Sequence, residues 1–440
     1  MLLKTLSTLL LFLLLVISQP VQAQEVLTLD QAIQIGLEEN YGVQLSQNQT
    51  QIASNNYTLG NAGFFPSIEA SASQDESIED SEFEAGGDAQ TTEGSRSSNT
   101  NAGINLNWTI FDGLRMFTSY NRLEELQNIS DKEVRLEMEL LVSLIIQSYY
   151  DITRISEQVS VLENTVDVSQ ERIGIEETKY DLGSGSEVDL LQARSDLNAD
   201  RAALLRVQNQ LSESKIFLNE YLSRSPSTDF RVTDDIPINR TLSEEELYQK
   251  VLTENSELMI ARAQQNVADL ELRSIRGERF PEISLSSGYA YNRSETGGGF
   301  VQFNEATGFS VGITARVNLF NGFDTSRRVQ NAKINQKSSR IEEERSQLRI
   351  ESNFLSLFRT YRNSIELVDL EENNLENAEE TLEIALERFR LGSISSLELR
   401  EAQRTFQTAE NRLIEAKFEA KLAETEILQL SGELQSIVRE

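Results

Sequence analysis

The feature that most constrains the fold is an internal repeat that spans nearly the whole chain. Residues 37–73 align with residues 252–288 at an offset of 215 positions. From Gly103 and Gly312 onward, the two halves align without gaps at an offset of 209 positions. The six-residue difference falls in the segment before these glycines, so only that region varies in length. A chain of this kind is predicted to fold as two similar structural repeats.

Long helices dominate each half. Residues 114–180 contain no Pro and one Gly, and they predict a single helix of about 100 Å at 1.5 Å rise per residue. A heptad of apolar residues supports this helix, although Ser169 and Glu176 interrupt it. Two shorter helices, predicted over residues 28–60 and 187–222, together match the long one in length. We therefore expect a two-layer rod in which one continuous helix packs beside two stacked shorter helices.

Composition and the repeat divide the chain into five segments. Residues 1–23 contain one Lys, an apolar run and the sequence Val21-Gln22-Ala23, a pattern typical of a cleaved secretory signal. The apolar run is shorter than the roughly 20 residues that span a bilayer, which disfavours the alternative of a membrane anchor. The remaining segments are a first repeat (24–223), a connection (224–240), a second repeat (241–431) and a C-terminal tail (432–440).

The charge and the missing residue types exclude several function classes. The chain has a net charge of −31, which makes it a poor partner for nucleic acid, itself a polyanion. It contains no Cys, and therefore no disulfide and no thiol to carry a lipid. It also contains no His, the commonest general base and metal ligand. We predict no catalytic site, no metal site and no cofactor.

Four segments of about ten residues alternate between apolar and polar side chains, which predicts four amphipathic strands. The apolar faces carry Ile68, Ala70 and Ala72; Ile104, Leu106, Trp108 and Ile110; Ile283, Leu285, Tyr289 and Tyr291; and Phe309, Val311, Ile313, Ala315, Val317 and Leu319. Such strands fit either a soluble sheet packed on a core or an outer-membrane barrel with its apolar face toward lipid. Because the long helices offer no obvious layer to cover a sheet, the barrel is favoured.

The segments that join the strand pairs are predicted to be exposed loops. Residues 75–100 are acidic and rich in Ser, Gly and Thr, and residues 294–307 are rich in Gly. Four strands cannot close a membrane barrel, for which about eight is the smallest number. The chain must therefore share a barrel with other copies. Two copies would supply eight strands and three would supply twelve, and the count alone does not choose between them.

The repeated motifs resemble those of the TolC-like outer membrane efflux proteins. They are "FFPSI" and "RFPEI" at the strand entries, "NWTIFDG" and "VNLFNG" at the strand exits, and "YDLGSGSEVDLLQA" and "FRLGSISSLELREA" at the helical turns. The resemblance implies a mainly α fold with membrane β structure, built from a duplicated helix-strand-strand-long helix-helix unit. It implies a homotrimer whose twelve-stranded outer-membrane barrel continues as a periplasmic α-helical tunnel.

The same resemblance implies the function and the partners. The protein would be the exit duct of a tripartite efflux or type I secretion system and would lie in the outer membrane, with its helices in the periplasm. It would dock through a periplasmic adaptor onto an inner-membrane transporter and contact outer-membrane lipid. An alternative is a soluble periplasmic coiled-coil or adaptor protein, and another is a secreted hydrolase that uses carboxylates. The sequence does not indicate the cargo.

The resemblance also assigns the periplasmic entrance. Its tip turns are Leu182, Gly183 and Ser184 in the first repeat and Leu391, Gly392 and Ser393 in the second. The acidic residues six and nine positions after Gly392, Glu398 and Glu401, would form rings that constrict the entrance and favour cations. In the best-known member of this family, a network of an Asp, a Tyr and an Arg holds the entrance closed. The corresponding residues here are Asp189, Phe389 and Ile394, so the network itself is not transferable.

Two hairpin-type turns mark the ends of the barrel strands. Asp112-Gly113 and Asn321-Gly322 follow alternating runs that end at Phe111 and Phe320, but helical sequence follows each turn instead of a second strand. We interpret them as the junctions where barrel changes into tunnel. Because glycine has no Cβ, Gly113 and Gly322 can take the backbone angles that an abrupt change from strand to helix requires.

Overall fold

The computed structural model describes residues 25–85, 88–233, 235–297 and 302–434, so the predicted signal peptide lies outside the described residues. Its strands are β1 (Glu25–Val26), β2 (Ser67–Ala85), β3 (Asp88–Phe111), β4 (Phe230–Arg231), β5 (Glu282–Thr296) and β6 (Phe303–Arg316). Its helices are α1 (Leu29–Glu39), α2 (Tyr41–Asn56), α3 (Arg115–Asp181), α4 (Glu187–Tyr221), α5 (Glu244–Glu254), α6 (Ser256–Gly277), α7 (Asp324–Arg390) and α8 (Ser396–Leu430). None of these helices is both long and apolar enough to cross a membrane.

The long helices begin and end where the sequence indicates. The helix predicted over residues 114–180 is observed as α3, which has 67 residues and begins and ends one residue later. α7 has the same length and lies 209 positions later. The 35-residue helices α4 and α8 are separated by the same offset. These helices agree with the absence of Pro from all four segments, and Gly174 does not interrupt α3.

The prediction of one continuous helix over residues 28–60 is wrong, because the chain breaks at Asn40 into α1 and α2. The Asn40 backbone is extended, and its side-chain oxygen accepts hydrogen bonds from N–H groups at the start of α2. Its side-chain Nδ2 donates to the carbonyl of Tyr221, which ends α4, at 2.9 Å. Asn255 makes the equivalent break in the second half and donates to the carbonyl of Leu430 at 3.0 Å. Each Asn therefore interrupts the helix at a single residue, and its side chain contacts the C-terminal end of another helix.

Residues 25–45, 135–255 and 348–434 belong to one compact unit. Its main core is a cluster of buried apolar side chains from the N-terminal segment, α1, α3, α4 and the connection between the halves. The cluster contains Leu27, Ala32, Ile33, Val43, Leu141, Val142, Ile145, Ile146, Tyr149, Tyr150, Ile152, Leu218, Leu222, Phe230, Val232, Ile236 and Leu434. Burial of these side chains holds the helices of the unit together.

The connection between the halves (224–240) enters the core of this unit, although its sequence is irregular and contains two Pro. β4 within it pairs in parallel with β1, so that Glu25 lies opposite Phe230 and Val26 opposite Arg231. The Phe230 side chain is completely buried. An irregular segment can enter a core when its backbone groups find partners, and here the short strand pair and the Tyr149 hydroxyl provide them.

Residues 46–134 and 256–347 form the second unit, whose centre is a four-stranded sheet in the order β2-β3-β5-β6. All three pairings are antiparallel. Cross-strand pairing places one row of Ile68, Leu106, Ser287 and Val311 on the same face, and a neighbouring row of Ala70, Ile104, Tyr289 and Phe309. The apolar positions predicted strand by strand therefore join into one continuous apolar face.

The prediction of a loop over residues 75–100 is wrong. β2 and β3 contain 19 and 24 residues, and they pair with each other from Ser67 and Asn107 as far as Ala85 and Asp88. The part of β3 that precedes Ser97 does not pair with β5. There β2 and β3 pair only with each other, as a two-stranded ribbon. Paired strands satisfy each other's backbone groups, so polar side chains on both faces do not prevent them from forming in water.

Candidate functional site

The two helical turns at the predicted tips have the same backbone design. In the first, Gly183 has φ of 73°, and the N–H groups of Gly183 and Ser184 donate to the carbonyls of Tyr180 and Lys179. In the second, Gly392 has φ of 71° and the equivalent bonds are made 209 positions later. A residue in the left-handed conformation lets the chain turn back while it satisfies the last helical carbonyls. Glycine is favoured there because it has no Cβ.

The tip turns expose apolar side chains. Leu182 and Leu391, one in each turn, are 77% and 81% exposed. Leu397, in the first turn of α8, is also 77% exposed.

Glu398 has a local structural role in addition to its predicted role at the entrance. Ser395 caps α8, and its hydroxyl accepts from the Glu398 N–H while the Glu398 carboxylate accepts from the Ser395 N–H and hydroxyl, both at 2.8 Å. These hydrogen bonds, the backbone one first, lower the pKa of Glu398. The carboxylate therefore stays charged at any pH near neutrality. Glu401 and Asp189 are exposed as well.

Phe389, which the resemblance aligns with the Tyr of the closing network, is completely buried. The Lys179 ammonium from the first repeat lies 3.9 Å from the centre of its ring, a distance typical of a cation–π contact. Phe389 therefore fastens the end of α7 to the end of α3 and does not present its side chain at the surface. Ile394 is partly buried.

A groove of about 440 Å³ lies between the first tip turn and the start of α8. Its lining includes the charged residues Glu176, Lys179 and Asp189 and the serines Ser184, Ser186 and Ser395. Thus Asp189 of α4 and Ser395, the cap of α8, line the same groove. Among the described residues, no group of His, Cys, Asp or Glu is arranged to hold a metal ion.

Buried charged residues lie between α3, α4 and α8, and the sequence pattern did not predict their pairing. Arg172 in α3 is 1% exposed and pairs with Asp196 in α4. Burial alone raises the pKa of Asp196, but hydrogen bonds from Arg172 and Gln192 outweigh it and lower the pKa. Asp200 pairs with Arg400 of α8 and accepts from Ser169. The available signals were Ser169 and Glu176, two polar residues that interrupt the heptad of α3 at buried positions.

The strand–helix junctions use positive φ angles in both repeats. Gly113 and Gly322 have φ of 76° and 65°, and the residues that follow them, Leu114 and Phe323, also have positive φ. The surroundings of the two glycines differ. Gly113 packs against Gly277, whereas nothing lies within 4 Å of the place where a Cβ on Gly322 would stand. Phe111 is partly buried, and Phe320 is exposed with its ring edge-on to Phe323.

The apolar face of the sheet is uncovered in the single chain. Ile68, Val311 and Ile313 are 69%, 65% and 72% exposed. The outer edges of β2 and β6 have no strand partner among the described residues. A large apolar surface and two open strand edges are both unfavourable in water, so other molecules must cover them.

The sequence matches one protein family over most of its length. Residues 32–224 and 247–433 match the family described as "Outer membrane efflux protein". Among curated relatives, the chain is 22% identical to the probable outer membrane lipoprotein SilC of Salmonella typhimurium, over 67% of this chain and 63% of SilC. The aligned part thus spans less than two thirds of SilC. It is 20% identical to outer membrane protein TolC of Vibrio cholerae serotype O1, over 76% of each chain.

Solved structures show the same fold. The outer-membrane channel OprN superimposes with a TM-score of 0.76 at 19% identity, over 92% of this chain and 90% of OprN. CusC superimposes with the same score at 18% identity, over 92% and 91% of the two chains. The cation efflux system protein CusC of Escherichia coli O157:H7 is also 22% identical in sequence, over 90% of this chain and 84% of CusC.

Proposed function

This chain belongs to the outer membrane efflux protein family, and we propose that it is the outer-membrane exit duct of a tripartite export system, either efflux or type I secretion. In this proposal three copies form a twelve-stranded barrel in the outer membrane, and their helices form a periplasmic tunnel. The duct conducts cargo passively, because the inner-membrane transporter supplies the energy. It has no enzymatic role.

The observation that carries the proposal is the open, one-sided sheet. Cross-strand neighbours put apolar side chains on one face, including Ile104, Tyr289 and Phe309, and polar residues such as Glu69, Asn105 and Ser310 on the other. This alternation suits lipid outside and water inside. Because β2 and β6 both offer a free edge, copies of the chain can close the sheet edge to edge. Three copies of four strands reach the twelve that the family resemblance implies.

Exposed apolar side chains at the tip support the proposal that an adaptor docks there. Leu182, Leu391 and Leu397 are exposed apolar side chains, and Leu397 also lines the groove that both repeats contribute to. A helical adaptor that carries apolar residues at matching positions would bury them, which stabilises an interface by about 25 cal/mol per Å² of apolar surface. An inner-membrane transporter would then be joined to the duct through that adaptor.

Membrane fractionation and electrophoresis without heating test the duct. We expect a heat-modifiable trimer in the outer membrane. Ile104→Lys should reduce trimer yield, because a lysine facing lipid near the bilayer midplane costs about 2–4 kcal/mol. Asn105→Lys, on the opposite face of the same strand, is the matched control and should assemble normally. A soluble monomer in the periplasm, or equal yields of both variants, would overturn the proposal.

The predicted entrance carboxylates have a separate test in planar bilayers. Multivalent cations should block conductance at the entrance, and Glu398→Gln with Glu401→Gln should weaken that block. Glutamine can still form the capping box with Ser395, so this change removes charge without removing the helix cap. Glu419→Gln removes an exposed charge elsewhere on α8 and serves as the control. Unchanged block in the double variant would show that the carboxylates are ordinary surface charges.

A further inference from the structure

A buried ion pair joins the two repeats close to the proposed entrance. Arg400 of α8 donates to both carboxylate oxygens of Asp200 in α4, at 2.8 and 2.7 Å. The two side chains are only 19% and 9% exposed. The Ser169 hydroxyl, which is fully buried, donates to the same carboxylate at 2.6 Å. A bidentate contact of this kind fixes the orientation of the arginine side chain as well as its distance from the carboxylate.

Arg400 lies between Glu398 and Glu401 in the sequence but points to another side of the helix. Glu398 and Glu401 are exposed, whereas Leu399 and Ala402 are buried. Since successive residues of an α-helix are separated by 100° around its axis, fixing the direction of one side chain fixes the directions of its neighbours. A contact that holds Arg400 on α4 therefore also determines where Glu398 and Glu401 face.

The contact occurs once in the chain, although the helices occur twice. The residues 209 positions from Arg400 and Asp200 are Leu191 and Ala409, which cannot form an ion pair. Asp200 is buried, and a buried carboxylate is strongly unfavourable unless it is paired. Rotation of α8 that withdrew Arg400 would leave Asp200 with only Ser169. The pair thus favours one rotational setting of α8 on α4.

Another ion pair between the repeats is different in kind. Arg390 at the end of α7 pairs with Glu171 of α3 at 2.7 Å, but these side chains are 44% and 38% exposed. Water competes for both partners there, and exposed pairs contribute little to stability. The Arg390 pair is therefore a suitable comparison, because it has similar chemistry without the burial.

We propose that Arg400 is a positioning residue of the entrance, whose contact with Asp200 fixes the rotation of α8 and so aims Glu398 and Glu401. This role rests on the proposed function for its meaning, since it matters to transport only if those carboxylates line the entrance. The effect of the Arg400–Asp200 contact on the rotation of α8 can be measured separately from any role of the two carboxylates in transport.

The absence of cysteine in the native sequence makes a distance measurement direct. Nitroxide labels attached through Ser195→Cys on α4 and Glu401→Cys on α8 report the separation of the two exposed positions by double electron–electron resonance. The full-length labelled chain is diluted with unlabelled chain, so that distances between copies do not contribute. A rotation of about 30° would move a side chain at a radius of about 5 Å by roughly 3 Å.

We expect Arg400→Gln to broaden the distance distribution or to shift its mean by about that amount. The exchanged pair Arg400→Asp with Asp200→Arg should restore a narrow distribution, which a general loss of stability would not explain. Arg390→Gln, in the same labelled background, should leave the distribution unchanged. If Arg400→Gln does not fold, the neutral pair Arg400→Gln with Asp200→Asn avoids an unpaired buried charge and should show the same broadening.

Distributions that superimpose for the native pair and its variants would overturn the inference, as would equal broadening by Arg390→Gln. In bilayers, Arg400→Gln should also weaken cation block in part. If block depends on Glu398 and Glu401 but not on Arg400, the inference fails and the proposed entrance stands. If block depends on neither carboxylate, the proposed entrance fails while the distance measurement still decides the role of Arg400.

Discussion

The two strand–helix junctions offer a matched comparison, because one repeat position has crowded surroundings in the first half and open surroundings in the second. A Cβ added to Gly113 would lie 2.2 Å from the carbonyl oxygen of Gly277 and 2.9 Å from the Cβ of Phe280. A Cβ added to Gly322 would meet nothing within 4 Å. The two glycines have similar positive φ angles, 76° and 65°. Alanine at either site therefore incurs the same backbone strain, but only Gly113→Ala also incurs a steric clash.

The expected magnitudes follow from these two terms. An L-residue in the left-handed conformation costs about 1–2 kcal/mol, and this is the whole penalty that we expect for Gly322→Ala. Contacts of a Cβ below 3.0 Å essentially never occur, so Gly113→Ala must displace the backbone at the end of α6. Overpacking of this kind costs about 1–3 kcal/mol. The sum for Gly113→Ala is roughly 2–5 kcal/mol.

Thermal unfolding of the purified full-length protein in detergent, followed by circular dichroism at one scan rate, measures the difference. The apparent Tm should fall for both variants and should fall further for Gly113→Ala. Gly174→Ala is a control inside α3, at a glycine with ordinary helical backbone and open surroundings, and it should stabilise slightly. Equal losses at the two junctions, or a larger loss at Gly322, would refute the steric explanation.

Three further predictions use the same assay. Burial, followed by the charges of neighbouring glutamates, raises the pKa of Glu410 above its ordinary 4.5. Its ionised form therefore destabilises the fold, so Glu410→Gln should raise Tm at neutral pH, with a gain that fades towards pH 4.5; a gain independent of pH would contradict this. Asn40→Ala should cost about 1–2 kcal/mol through the lost cap, whereas exposed Asn55→Ala should cost little. Ser395→Ala should cost about 1 kcal/mol by removing the cap of α8, and no loss would argue against it.

Several features could be predicted from local sequence patterns. The bounds of α3 and α7 follow from long segments without Pro, and the faces of the strands follow from a period of two. The turns at Gly183 and Gly392 follow from glycine after a long helix. The two wrong expectations had different causes. The acidic sequence of residues 75–100 resembles a loop, and the break at Asn40 depends on a hydrogen bond to Tyr221, 181 residues away.

The amino-acid sequence by itself determined the internal repeat, the long helices, the one-sided strands and the family, because periodicity, motifs and internal similarity can all be read from the order of residues along the chain. Only the tertiary structure decided which charged side chains are buried and which residues pair with them. Arg400 and Asp200 are 200 positions apart, and in the sequence they are two charged residues among many. The sequence does not distinguish Phe389 from the other aromatic residues, whereas the structure places the Lys179 ammonium over its ring. Burial and pairing depend on how helices pack, and packing is a property of the whole unit.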